Sequence, residues 1–262
     1  MGALLKYEFH KLFRQKSFYV CSGIIALMAL INFLIWAYTS INFNWLDFLI
    51  SGMGFPEKIP SGFGAMEAAL GGLSSQLPLI LGITLAIYII SDHSQNTIKN
   101  VYARGFTRTE VYFAKFIVSL AVMSAMFVLV MLLSFIGGTL EFEAGKPDGT
   151  FFKLLSSQFL VCAAITSVEF FICIAVKSLP GTIVIIVGGT QFLLNILQLI
   201  DLILASKDID FRISKLYIGS FLNDLSNSAI ETPRLIGCII GAVVYAAVFL
   251  SLGWLINRKS EK

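Results

Sequence analysis

Phe116-Ile-Val-Ser-Leu-Ala-Val-Met-Ser-Ala-Met-Phe-Val-Leu-Val-Met-Leu-Leu-Ser-Phe-Ile-Gly-Gly-Thr-Leu140 contains no charged residue. Crossing about 30 Å of hydrocarbon at 1.5 Å per residue takes roughly 20 apolar residues, because each backbone amide must be bonded within its own helix. This stretch meets that requirement, and five others do as well. Spans are expected at Phe18 to Tyr38, Leu73 to Ile90, Phe116 to Leu140, Leu154 to Val176, Thr182 to Leu204 and Leu235 to Ile256. The second is the shortest and carries Pro78. Composition agrees: 57% of residues are hydrophobic and 13% charged, against roughly half and a quarter in soluble domains, and the mean hydropathy is +0.84. The expected fold is all-α, a polytopic integral membrane protein with six transmembrane helices. No polar interval is long enough to fold separately, so residues 1–262 form one membrane domain.

Charge sets the direction. Basic Lys6, Lys11, Arg14 and Lys16 precede a first apolar run too long for a signal peptide and lacking a small-residue cleavage site, so it stays as a span. With both termini in the cytoplasm, the inner segments hold Lys99, Arg104, Arg108, Lys115, Lys177, Arg258, Lys259 and Lys262 besides those four. The inner carboxylates are then Glu8, Asp92, Glu110 and Glu261, and most others fall outside, in line with the positive-inside rule. The net charge of +3 is therefore a topology signal and implies no nucleic-acid partner. Cys21, Cys162, Cys173 and Cys238 lie in apolar runs without paired spacing, which indicates reduced packing residues rather than disulfides or zinc.

Three segments are neither span nor plain loop. In residues 1–17, apolar Leu4, Leu5, Phe9, Leu12 and Phe13 recur at near-helical spacing against Lys6, Lys11 and Arg14, as in an interfacial amphipathic helix; the plainer reading is a basic flank that sets topology. In 91–115, a short helix from about Gln95 to Arg104 would end on Gly105, and Thr107 with Glu110 forms a capping box for the next helix. Such punctuation also joins helices that merely connect. On the outer side, Asn44-Trp-Leu-Asp-Phe-Leu-Ile50 and Leu216-Tyr-Ile-Gly-Ser-Phe-Leu-Asn-Asp-Leu225, the latter within 205–234, suit half-buried helices with Trp45 and Tyr217 at headgroup depth, or simple lids.

The opening Leu4-Leu-Lys-Tyr-Glu-Phe-His-Lys-Leu-Phe-Arg-Gln-Lys-Ser-Phe18, the inner segment Thr97-Ile-Lys-Asn-Val-Tyr-Ala-Arg-Gly-Phe-Thr-Arg-Thr-Glu-Val-Tyr112 and the six-span order with long first and last outer loops resemble a bacterial permease. The family is that of type-two ABC exporter permeases, in the branch associated with bacitracin resistance, lantibiotic self-protection and export of small amphipathic peptides. The resemblance implies a bacterial cell membrane, an elbow helix with Leu5, Phe9 and Phe13 on its apolar face, and a coupling segment carrying Gln95, Thr97, Lys99, Asn100, Arg104, Gly105 and Thr107 that docks on an ATPase. It also implies re-entrant outer helices at Leu216 to Leu225, and a second permease, identical or related. The chain has no Gly-x-x-x-x-Gly-Lys-Ser/Thr loop, so no cofactor is expected in it; ATP and magnesium would be bound by the partner ATPase.

Ionisable residues within spans are functional candidates because burying them in hydrocarbon is costly. Glu169 lies in the fourth predicted span and Asp201 near the outer end of the fifth; the plainer readings are a neutral acid bonded to a neighbouring helix and a headgroup-level residue. Gln191, Asn195 and Gln198, at i, i+4 and i+7, make a polar stripe that either lines a translocation path or dimer seam, or bonds helices together. Gly237 and Gly241 suit close helix packing. An intramembrane enzyme is disfavoured: His10 and His93 have no carboxylate at zinc-ligand spacing. A secondary transporter or channel would be expected to show related halves with broken helices, and no internal repeat is visible. Abundant aromatic and aliphatic side chains in the spans suit an amphipathic peptide or lipid-like antibiotic as substrate.

Overall fold

The computed structural model describes residues 1–41, 62–66, 73, 76–94, 101–141, 144–147, 149–206, 212–225 and 230–259. These are helical throughout, with no strand among them. In chain order the helices are α1 (Gly2–Arg14), α2 (Lys16–Ile41), α3 (Gln76–Ser94), α4 (Arg108–Glu141), α5 (Gly149–Val176), α6 (Leu179–Val187), α7 (Leu193–Ala205), α8 (Ile218–Asp224) and α9 (Thr232–Lys259). Three proline side chains sit where a helix tolerates them: Pro78, Pro180 and Pro233 each fall in the first turn of α3, α6 and α9, whose amides have no partner to lose.

Arg108–Leu140 of α4, Phe151–Val176 of α5 and Thr232–Arg258 of α9 are long and apolar enough to cross a membrane. Shorter apolar stretches are Lys16–Ile31 in α2, Gln76–Asp92 in α3 and Asn195–Ala205 in α7. The helices outrun the predicted spans. The 34 residues of α4 reach about 51 Å at 1.5 Å per residue, longer than the roughly 30 Å that a hydrocarbon core requires.

The core gathers around α3, whose Leu81, Leu85, Ala86 and Tyr88 are fully buried. Helices α2, α4, α5 and α6 pack on it, and α9 lies along α5 as the most extensive helix pair. Aromatic edges lock α4 to α5: the Phe170 ring lies 5.2 Å from Tyr112 and 5.4 Å from Phe116. The Tyr112 hydroxyl donates to Leu250 O of α9 at 2.8 Å. All four cysteines are buried and free.

The fifth predicted span is not one uninterrupted α-helix. Helices α6 and α7 are joined by a π-helical turn, Gly188–Phe192, which widens the ladder by a residue and, in proteins generally, often marks a functional position. The outer segment packs into the bundle. A 3₁₀ turn at Ile213–Leu216 leads into α8, and Ile218, Phe221, Leu222 and Leu225 are buried. Gln158 of α5 donates to Leu225 O at 2.9 Å, and Arg234 Nε donates to Asp224 at 2.8 Å. Tyr217 reaches the middle of the α6–α7 rod, where its hydroxyl donates to Gly189 O at 2.6 Å. The apolar neighbours of this short helix lie inside the bundle, so its flanking tyrosine is drawn inward. Asp201 accepts from the amides of Ile213 at 2.6 Å and Ser214 at 3.1 Å, so it caps the 3₁₀ turn. Of the Gly237 and Gly241 pair, only Gly241 is closely packed within this chain, against the Phe221 ring; Gly237 faces open space. The segment from Asn44 to Ile50, with Trp45, lies outside the described residues.

Candidate functional site

One end of the bundle is organised by α1. Its buried residues are Leu4, Glu8 and Leu12, spaced four apart and hence on one face. Leu5 and Phe9 flank that face half-buried, while Phe13 is 55% exposed. A glutamate in the centre of a buried stripe needs compensation, and α3 and α4 provide it. Glu8 is 1% exposed. Its Oε2 accepts from the Tyr88 hydroxyl at 2.7 Å, and its Oε1 lies 3.7 Å from Lys115 Nζ. Lys115 also forms an ion pair with Asp92, whose other oxygen is 2.6 Å from Lys11 Nζ. Lys11 closes the ring by donating to Tyr88 O at 3.2 Å, and its ammonium stands 4.7 Å from the centre of the Tyr88 ring.

Glu8 and Asp92 thus balance Lys11 and Lys115 in a clasp that joins α1, α3 and α4. Burial pushes the Asp92 carboxyl up, but the charges of Lys115 and Lys11 outweigh it and hold the group below its ordinary range. For Lys11, burial and the like charge of Lys115 outweigh Asp92 and Glu8, and the ammonium is held below its usual value. Desolvation offsets much of the attraction in such a network, so its net contribution to stability is small; removing one partner leaves a buried charge uncompensated and costs about 3–5 kcal/mol. The arrangement therefore specifies where α1 sits more than it stabilises the fold.

Beside the clasp stands the described part of the connection between α3 and α4. Val101 packs with Leu4 of α1 and with Val111 and Ala114 of α4, and Leu5, Tyr102 and Phe106 cover this small core. The 101–103 helical turn ends with Gly105 N donating to Tyr102 O at 2.9 Å. Gly105 has φ +86, the left-handed conformation that glycine adopts without a side-chain clash. Thr107 and Glu110 form the expected reciprocal box: Thr107 N donates to Glu110 Oε2 at 2.9 Å, and Glu110 N to Thr107 Oγ1 at 3.3 Å. Those bonds from Thr107 hold the Glu110 carboxyl below its ordinary value. Arg104, Gly105 and Thr107 are exposed. The result is an exposed tip on a base bonded to two helices. Gln95, Thr97, Lys99 and Asn100 lie outside the described residues.

The intramembrane polar residues differ in burial. Glu169 is 3% exposed and faces α3 and α6, next to Gly82 and Ile186. Asn195 and Gln198 lie exposed on α7 among exposed Ile196, Leu199, Leu202 and Ile203. Gln191 falls in the π turn. Among the described residues no group of three or more His, Cys, Asp or Glu side chains could hold a metal ion.

Residues 4–191 match the family described as ABC-2 family transporter protein. The chain belongs to that family. No curated protein matches it. Membership makes the chain a permease subunit of an ABC transporter, situated in a membrane, and implies an ABC ATPase as partner. In this ABC-2 permease the matched region takes in nearly all of α1, the clasp, the Gly105 turn and Glu169, and ends within the π turn.

Sequence reasoning did not single out Glu8, Lys11, Tyr88, Asp92 or Lys115. A signal was present. Glu8 and Asp92 are two of the few carboxylates in otherwise basic segments, and Asp92 and Lys115 flank the connection between α3 and α4. What a one-dimensional reading lacks is the 80-residue jump that brings Tyr88 to Glu8.

Proposed function

We propose that this permease is the membrane-spanning half of an ATP-driven exporter of the bacterial cell membrane, with six spans and cytoplasmic termini. Separate ATPase subunits bind ATP and magnesium and dock on the segment from Gln95 to Thr107. The observation that carries this reading is the exposed tip at Arg104, Gly105 and Thr107 on a base locked to α1 and α4. A push on that tip is delivered through the Val101 cluster to α1 and α4, and through the clasp to α3. A disconnected loop would absorb the same push. The positive charge of the inner segments favours this orientation.

A second permease, identical or related, pairs with this one along α7, where Asn195 and Gln198 punctuate an exposed apolar face. The substrate is an amphipathic peptide or a lipid-like antibiotic, as in the bacitracin and lantibiotic branch, because apolar side chains dominate the exposed helix faces. Reconstitution with its ATPase in liposomes tests this: hydrolysis should rise on adding an amphipathic peptide antibiotic and stay flat with small hydrophilic solutes or cations. A response confined to the latter would eliminate the substrate class.

A further inference from the structure

Two buried polar groups along the α5–α6 seam find no hydrogen-bond partner among the described residues: both carboxyl oxygens of Glu169 and the hydroxyl of Thr182. Thr182 and Ile186 are one turn apart on the buried face of α6, and Ile186 and Glu169 both abut Gly82 of α3. Native interiors leave few polar groups unpaired, and an ionisable one within hydrocarbon is the costliest kind to leave so. Such groups call for an explanation such as strain, ordered water or a role in function.

The space around the carboxyl decides the occupant. A Cβ at Gly82 would lie 3.1 Å from Glu169 Cδ and 2.8 Å from Ile186 Cγ2, so the acid is packed against backbone and methyl groups. A metal ion would need about six oxygen ligands, and an ammonium group would need room that the packing denies. A proton needs neither. The π turn begins two residues beyond Ile186, at Gly188, where a Cβ at Gly188 or Gly189 would meet nothing within 4 Å and the Tyr217 hydroxyl ties Gly189 O at 2.6 Å. It supplies a joint about which α6 can swing from α3.

We propose that Glu169 is a proton-binding site of the transport cycle. The neutral acid is held in the closed bundle; when α6 leaves α3, water enters, the carboxyl O–H bond breaks with its electron pair staying on the carboxylate, and hydronium departs. Closure reverses the transfer. Tyr217 bonds to Gly189 O of the neighbouring α6–α7 rod, and Cys162 and Cys173 share the helix of Glu169. The faces of α3 and α6 against it present Gly82, Thr182 and Ile186, none of them titratable. Of the other helices packed on α5, α4 carries Tyr112 and Lys115 near its inner end, and α9 carries Cys238 and Tyr245 within and Arg234 and Arg258 at its ends.

The test uses the full chain in lipid nanodiscs, without ATPase, treated with dicyclohexylcarbodiimide, which adds to protonated carboxyls in apolar surroundings. Peptide mass spectrometry should find the adduct at Glu169, with a rate that falls at least tenfold between mildly acidic and alkaline pH. Glu169→Gln should lose the adduct; Glu169→Asp should keep it with its pH dependence, and serves as the readout should the amide variant not fold. Absence of the adduct at every pH, or a rate that does not change with pH once reagent hydrolysis is corrected for, would overturn the proposal.

Discussion

Replacing Lys115 with methionine isolates the clasp. The two side chains have similar length, and Lys115 is 4% exposed, so the substitution keeps the packing and deletes the charge. Asp92 then retains Lys11 alone, at 2.6 Å, and Glu8 keeps the Tyr88 hydroxyl and loses its nearest cation. One net negative charge is left in a buried site, which costs about 3–5 kcal/mol. Adding Asp92→Asn restores neutrality, because Glu8 and Lys11 balance each other. The double variant should therefore be more stable than the sum of the two single losses, by a coupling energy of about 1–3 kcal/mol. Equilibrium unfolding in mixed micelles, followed by helix content, measures all three variants. A Lys115→Met loss below about 0.5 kcal/mol, within the scatter of ordinary surface changes, or strict additivity of the two losses, would refute the reasoning.

Acid should release α1 from the bundle. The Asp92 carboxyl is lower in the folded protein than its ordinary 3.8, so its contribution is fully present above that value and fades as pH falls through the folded one; a fluorophore on Tyr7→Cys should report detachment below about pH 4, whereas detachment near neutrality would contradict the assignment. Lys11 titrates at the opposite extreme: its depressed value means that the charged form costs stability at neutral pH, and this cost lessens as pH rises through the folded value. Replacing Arg104 and Gly105 together, as Arg104→Ala with Gly105→Val, should strain the φ +86 position by about 1–2 kcal/mol and uncouple ATP hydrolysis from transport in a folded permease; wild-type coupling would remove the mechanical role of the tip. Tyr217→Phe deletes the bond to Gly189 O at 2.6 Å and should cost about 1 kcal/mol by the same unfolding measurement, with no loss expected if the π turn needs no restraint.

The helices were legible where hydropathy runs unbroken, as in Phe116 to Leu140, because the membrane demands continuous apolar sequence and little else does. Gly105 and the Thr107 and Glu110 box were legible for a different reason: caps are local, and their bonds span only three residues. The buried face of α1 was legible in part. The apolar spacing already held Leu4 and Leu12, but hydropathy gives no reason to place Glu8 between them; the helix turns Glu8 inward because its partners lie on α3 and α4. The π turn escaped notice because Gly188 and Gly189 fit an ordinary helix as readily; the bond from Tyr217 that marks it comes from a segment beyond the span. Glu169 stands out in any reading of the span, but that it is buried while Asn195 and Gln198 are exposed depends on helix rotation, which sequence spacing along one helix leaves open.

Mild-detergent purification from the native membrane, with Arg104→Cys as a crosslinking site, tests the central claim most directly. The account predicts that a soluble nucleotide-binding subunit copurifies, hydrolyses ATP and crosslinks at position 104. Recovery of the permease as a stable chain with no bound ATPase, no hydrolysis and no crosslink would contradict it and point to a secondary transporter or channel.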